Sequence, residues 1–308
     1  MNNEERKIFW DTLNILDGRD FQKDFEKIKT TIYYPEELCK FKRVDDYSLL
    51  GLQTNQLYIS PAIQYDDPFD TFLYIDWQKL DKLDNQFKNY SLYGYNKYCI
   101  DYNEPFSDEG FQHYKASIEN KSIHKKMIQS LKDTRSKMQE ILKSISFTEN
   151  FKNETLWLKY ADNHKGFCLV YNLKEKLKDI ERLLFPIYYS STPFDATTYA
   201  FYLELFKRNN ERTKALLAEF EMNTRYDDFK VSLIKKECHH YDQEWRYLSP
   251  NQNQQYLEWK PSKIIIGLRT PEHHIELIKN SAKIAGIQNI YQVCINSKDE
   301  FDIVQLNV

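Results

Sequence analysis

Apolar positions along this chain switch between a helical period and a strict alternation, and the switches outline its elements. In residues 4–29, Phe9, Leu13 and Leu16 share one helical face, Gly18 interrupts, and Phe21, Phe25 and Ile28 resume the stripe. That spacing predicts two short helices. Leu38 to Val44 reads as a strand, Asp45 to Thr54 as a helix, and Leu57 to Ser60 as a second strand. Helical spacing is weak over Lys79 to Phe87, and residues 90–107 form an irregular tyrosine-rich stretch. Over 110–143, Ile123, Met127, Leu131, Thr134, Met138 and Ile141 recur with charges between them, which predicts a long helix that packs by this stripe.

Beyond it, Ser144 to Thr148 looks extended, Thr155 to Tyr160 is a short helix, and Gly166 to Tyr171 and Phe185 to Tyr189 are strands. A second long helix is expected over 196–222, carrying Tyr202, Leu205, Phe206, Leu216, Leu217 and Phe220. The last third adds strands at Glu244 to Leu248, Lys263 to Gly267, Asn289 to Cys294 and Ile303 to Leu306, with a helix near 273–285. Strands and helices interleave without regular βαβ spacing, so the expected class is α+β with a mixed or antiparallel sheet core. With no linker-like stretch, residues 1–308 are read as one domain, with a helical extension at 1–30 and helical insertions at 108–144 and 195–224.

Composition adds limits. The chain of 308 residues is 41% hydrophobic, enough to bury a substantial core. Its net charge of −3, with both signs mixed along the chain, disfavours wholesale nucleic-acid binding. No stretch approaches the roughly 20 apolar residues that span a bilayer, and the start lacks the apolar segment of a secretory signal. The five cysteines are widely spaced with no C-x-x-C pair, and read as reduced residues of a cytoplasmic protein. Glu237-Cys238-His239-His240 is rich in ligand types, but consecutive residues do not readily converge on one tetrahedral ion, so no metal is expected.

Phosphate-loop, dinucleotide-fingerprint, zincin and nucleophile-elbow motifs are absent, which leaves polar clusters at strand ends. In Asp242-Gln243-Glu244-Trp245-Arg246, alternation sets Asp242, Glu244 and Arg246 on one face, with Trp245 turned toward the core. This is either a surface ion-pair ladder or a carboxylate placed to stabilise charge developing on a ribose. Lys40 and Lys42 share a strand face opposite Cys39, Phe41 and Arg43, and suit either a pyrophosphate or a solvated edge strand. Ser146 and Thr148 offer hydroxyls on a strand whose other face carries Ile145 and Phe147. His164 lies in a turn-forming run, Asp162 to Gly166. Asp66, Asp67 and Asp70 crowd around Pro68, as backbone caps or as cation ligands.

Collected in order, these segments resemble the bacterial family known as domain of unknown function 2971. Its pattern runs from a Lys-Tyr-Arg strand through Asn-Asp-Pro-Phe-Asp and Ser-Phe-Ser-Glu. It continues through Trp-x-x-Tyr-Ala-x-x-His-x-Gly to Trp-x-x-Glu-x-Glu-x-Arg. Here the matching positions are Lys40-Phe41-Lys42, Asp66 to Asp70, Ser146 to Glu149, Trp157 to Gly166 and Tyr241 to Arg246, within about 38–306. Lys42 stands for the family's Arg, Asp66 for Asn and Asp242 for the first Glu; lysine does not reproduce arginine's two-pronged grip.

The order of a basic strand, a hydroxyl strand and a Glu-x-Glu-like strand also resembles the ADP-ribosyltransferase-like superfamily. That resemblance implies NAD as substrate, with Glu244 catalytic, Lys40 or Lys42 holding the dinucleotide and Ser146 and Thr148 bracing the ribose pocket; Tyr160, His164, Asp67 and Arg246 are further candidates for nucleotide binding. It implies a transferase or NAD glycohydrolase acting on a protein, nucleic acid or water, in the setting of a toxin or phage-defence effector. The alternatives are a non-catalytic nucleotide-sensing module and a Mg-dependent nuclease built on Asp66, Asp67, Asp70, Asp242 and Glu244.

Overall fold

Among the described residues, nine strands join in one mixed sheet. The computed structural model describes residues 1–306 apart from 17, 81, 84–94, 96–98, 101–102, 104, 120 and 208–223. In chain order the strands are β1 (Glu37–Lys42), β2 (Gln56–Tyr58), β3 (Ser60–Pro61), β4 (Lys143–Thr148), β5 (Phe167–Asn172), β6 (Leu184–Pro186) and β7 (Tyr188–Ser190). They continue as β8 (Ile234–Lys236), β9 (Glu244–Leu248), β10 (Tyr256–Glu258), β11 (Lys263–Ile266), β12 (Ile290–Ile295) and β13 (Phe301–Gln305). The main sheet runs β13-β12-β11-β5-β1-β4-β9-β6, with β3 beside β4. Only the β11–β12 pair in it is parallel. The class is therefore α+β.

One irregularity of this sheet positions everything functional. β1 stays paired with β5 along its whole length, but meets β4 only at Cys39 and Thr148. The far end of β4 pairs with β3 instead, Ser60 opposite Ser144. The sheet is split between β1 and β4.

Each face of the sheet buries its own apolar set. Leu38, Phe147, Tyr171 and Trp245 face a large core that includes α1 (Asn3–Asn14) and α2 (Phe21–Lys29). α1 begins with a capping box between Asn2 and Glu5, and buries Phe9 and Leu13 completely. Burying each such side chain contributes about 1.5–3 kcal/mol, so the N-terminal helices are part of the main core. The opposite face packs Cys39, Phe41, Trp157, Cys168 and Val170.

The first expected insertion forms the helices Asp108–Glu119 and Lys121–Ile141, and the second begins with Thr197–Lys207. Leu131 packs against Ala200 and Phe201, and the buried Glu204 accepts hydrogen bonds from Ser130 and Thr134 at 2.9 and 2.8 Å. The parts of expected elements over 84–94 and 208–222 lie outside the described residues.

One expected strand is in fact two. Over Phe185 to Tyr189, Pro186 has no N–H to donate; Ile187 still bonds the Glu244 carbonyl, and Tyr188 turns to Leu233. β6 therefore ends beside β9, and β7 pairs with β8. Short elements that the spacing does not announce are β8, β10 and the helix Leu173–Ile180. Among the described residues, no helix is long and apolar enough to cross a membrane.

Candidate functional site

β9 begins just after Gln243, whose φ of 43° is left-handed. That kink, rather than simple alternation, places Asp242, which ends a 3-10 turn over Glu237–Asp242. From Glu244 onward alternation holds. Glu244 and Arg246 share a face and bond each other, Nε to Oε1 at 2.7 Å, while Trp245 and Tyr247 enter the core.

All three nitrogens of Arg246 donate hydrogen bonds. Its Nη1 donates to Asp70 Oδ1 at 2.8 Å, to Thr71 Oγ1 at 3.1 Å and to the Ser232 carbonyl at 2.7 Å, and its Nη2 donates to Asp70 Oδ2 at 2.5 Å. Lys235 of β8 adds a second cation, 2.7 Å from Glu244 Oε2, 3.2 Å from Asp242 Oδ2 and 3.4 Å from Asp70 Oδ2. None of these five side chains is more than 9% exposed. Of the two readings of this segment, the surface ladder does not hold: the charges form a buried network, in which breaking one pair strands a charge.

Environment separates the two carboxylates flanking Gln243. Burial pushes Glu244 toward its neutral form, but Arg246 and Lys235 outweigh burial and hold its carboxyl well below the usual range. Burial wins at Asp242 and raises it, although Lys235 opposes. Asp242 Oδ1 is buried without a hydrogen-bond partner, which leaves an acceptor in the wall of the site.

The network floors a cleft of about 210 Å³ that opens where β1 leaves β4. Ser146 and Thr148 of β4 line it beside β9, Thr148 opposite Glu244 and Ser146 opposite Arg246. Tyr65, Asp67, Tyr160 and His239 complete the nearer walls. Asp67 accepts the Phe69 N–H at 2.9 Å and approaches His239 Nε2 at 3.5 Å, so it caps its turn and lines the cleft. Burial pushes Tyr65 up to about 12, and its hydroxyl meets Ser144 Oγ at 2.5 Å.

Lys40 arrives from the other side of the sheet. The pairing of Cys39 with Thr148 puts Cys39 and Phe41 on the Glu244 face, and alternation sends Lys40 and Lys42 to the opposite one. Lys40 still reaches the cleft through the split. Its Nζ donates to the Ser146 carbonyl at 2.8 Å, 5.7 Å from the Phe147 ring centroid. Burial, reinforced by Lys42, pulls its pKa down to about 7, and Glu244 partly opposes.

Two sequence candidates fall outside the cleft. Lys42 lies beyond the split and does not line it; burial likewise lowers its pKa, so a paired cationic grip is not what β1 supplies. His164 does not line it either. It closes a left-handed run with Asp162 and Asn163, at φ 46°, 54° and 67°, and stacks on Trp157 at 5.9 Å. A Cβ on Gly166 would come within 2.1 Å of the Lys42 carbonyl, and one on Gly267 within 2.2 Å of the His164 carbonyl. Both glycines allow this turn to pack against the backbone.

Sequence reasoning did not single out Lys235, weighed His239 only within a ligand-rich run, and did not see Asp70 as the partner of Arg246. For Asp70 a signal exists: a carboxylate cluster and one late arginine invite a bidentate pair. Arg6 of α1 supports the site from behind, donating to the carbonyls of Glu244 at 2.7 Å and Ile187 at 2.9 Å. Tyr189 Oη accepts the Glu244 N–H at 2.7 Å, so both peptide groups of the central residue are held.

Comparison with curated proteins and with solved structures finds no match. The family model described as "Protein of unknown function (DUF2971)" matches residues 156–247, from the helix Glu154–Tyr160 into β9. That stretch holds Trp157 to Gly166 and Tyr241 to Arg246, two of the motifs that carried the resemblance. Over this segment the chain is similar to the DUF2971 family.

Proposed function

We propose that the protein binds NAD in this cleft and cleaves its nicotinamide–ribose bond, as an ADP-ribosyltransferase-like enzyme. The observation that carries this reading is the adjacency of β1, β4 and β9, which gathers Lys40, Ser146, Thr148 and Glu244 around one cavity. Glu244 is held ionised, and a fixed carboxylate in a dry site would stabilise positive charge on the ribose as nicotinamide departs. The bond electrons leave with the pyridinium nitrogen, and a protein, nucleic acid or water attacks the ribose carbon. Ser146 and Thr148 brace the ribose, and the free Asp242 oxygen accepts from a ligand N–H or O–H. Such chemistry suits a cytoplasmic toxin or phage-defence effector.

One observation favours a second reading. Each oxygen of Glu244 already meets a cation, Arg246 on one side and Lys235 on the other, as a structural network requires. A nucleotide-sensing module would use the same walls without turnover. The nuclease draws less support, because Arg246 and Lys235 occupy Asp70, Asp242 and Glu244, three of the five carboxylates that would hold Mg²⁺. Thermal-shift titration with NAD and ADP-ribose, followed by product analysis, separates these. Stabilisation with nicotinamide release supports the enzyme, stabilisation alone supports the sensor, and neither contradicts both.

A further inference from the structure

We propose that Lys40 is a reactive amine that captures small aldehydes, ring-opened sugars included, in the cleft as an imine. Its position is the first reason. Lys40 lines the cavity, half-buried, and its Nζ crosses from β1 to the Ser146 carbonyl of β4 where the two strands are no longer paired.

Its partners are the second. Lys235, on the floor of the same cavity, meets three carboxylates. Lys40 has no carboxylate within ion-pair distance among the described residues, and its hydrogen bond goes to the Ser146 carbonyl. An ammonium carries three N–H donors, and one carbonyl with the Phe147 ring face satisfies it poorly. A neutral amine donates once to that carbonyl and keeps a lone pair for the cavity. Charged neighbours pull both ways: Lys42 on β1 disfavours the proton and Glu244 on β9 favours it. β4 and β5 present the Ser146 carbonyl, the Phe147 ring and Leu169. The resulting pKa near 7 leaves about half of the side chain neutral at neutral pH.

The chemistry balances without a cofactor. The nitrogen lone pair attacks the carbonyl carbon, a nitrogen proton passes to the oxygen, and the carbinolamine loses water to give the imine. None of this needs NAD cleavage. Were that activity present, the ribose it frees would supply such an aldehyde on ring opening.

The test treats the full chain, without NAD, with glycolaldehyde and cyanoborohydride, whose hydride turns the imine into a stable secondary amine. Peptide mass spectrometry then compares Lys40 with the exposed Lys152. At pH 7 an ordinary lysine is almost wholly protonated, so Lys40 is expected to label about tenfold faster or more. The Lys40 labelling rate should rise with pH through a midpoint near 7 and then level off, and its lead over Lys152 should vanish in urea. Lys40→Arg, checked for folding by circular dichroism, should lose the label at that peptide alone. Labelling of Lys40 no faster than Lys152, or faster only in urea, overturns the proposal. Because NAD is absent, that result leaves the cleavage reading untouched.

Discussion

Arg246 grips Asp70 with two parallel hydrogen bonds, Nη1 to Oδ1 at 2.8 Å and Nη2 to Oδ2 at 2.5 Å. The pair ties β9 to the carboxylate-rich turn of residues 66–70 and closes the floor of the cleft. Both side chains are almost wholly buried, so each depends on the other.

Asp70→Asn should therefore cost about 3–5 kcal/mol, because it leaves Arg246 buried and underpaired. Arg246→Lys should cost a similar amount, since an ammonium does not reproduce the planar fork. Urea unfolding measures both. A loss under about 1 kcal/mol would mean that water reaches the pair.

Arg6 is buried where α1 meets the back of β9, and its Nη2 also pairs with Glu149 at 2.7 Å. Arg6→Met removes bonds to three carbonyls, those of Met1, Ile187 and Glu244, and one carboxylate, and should cost about 3 kcal/mol or more. Hydrogen exchange should quicken at the Ile187 amide, which bonds the Glu244 carbonyl, more than at β11. Uniform loss of protection would instead mean that Arg6 acts only on global stability.

Lys40 gives the protein a pH dependence of unusual sign. Its pKa is about 7 folded, against about 10.4 unfolded. Between those values the unfolded chain binds more protons, so the contribution of Lys40 to stability rises with pH and is poorest at or below 7. Lys40→Met should melt above the parent at pH 6 and lose much of that advantage by pH 9. A difference that stays constant with pH contradicts a depressed Lys40.

Much of the sheet is legible because its strands alternate cleanly: β4 shows Ser146 and Thr148 against Ile145 and Phe147, and β9 shows Glu244 and Arg246 against Trp245. What alternation cannot give is which face of one strand meets which face of the next. Lys40 and Lys42 do share a face, but the register of Cys39 with Thr148 turns it away from Glu244. Only the split in the sheet lets Lys40 back in. Lys235 is harder still. It follows an apolar run on a three-residue strand and reads like any surface lysine, until the fold brings Asp70, Asp242 and Glu244 to it. His164 shows the converse: a histidine in a polar run whose residues serve a left-handed turn under Trp157.

The whole functional account rests on the Glu244 carboxylate, and nicotinamide release from NAD by the parent protein and by Glu244→Gln measures it most directly. Glutamine keeps the shape but strands Lys235 and Arg246, so each sample is first shown to be folded by its unfolding transition. The account predicts release by the parent and a rate about 10²–10³-fold lower in the folded variant. Equal release by both, or none from a folded parent, would contradict it.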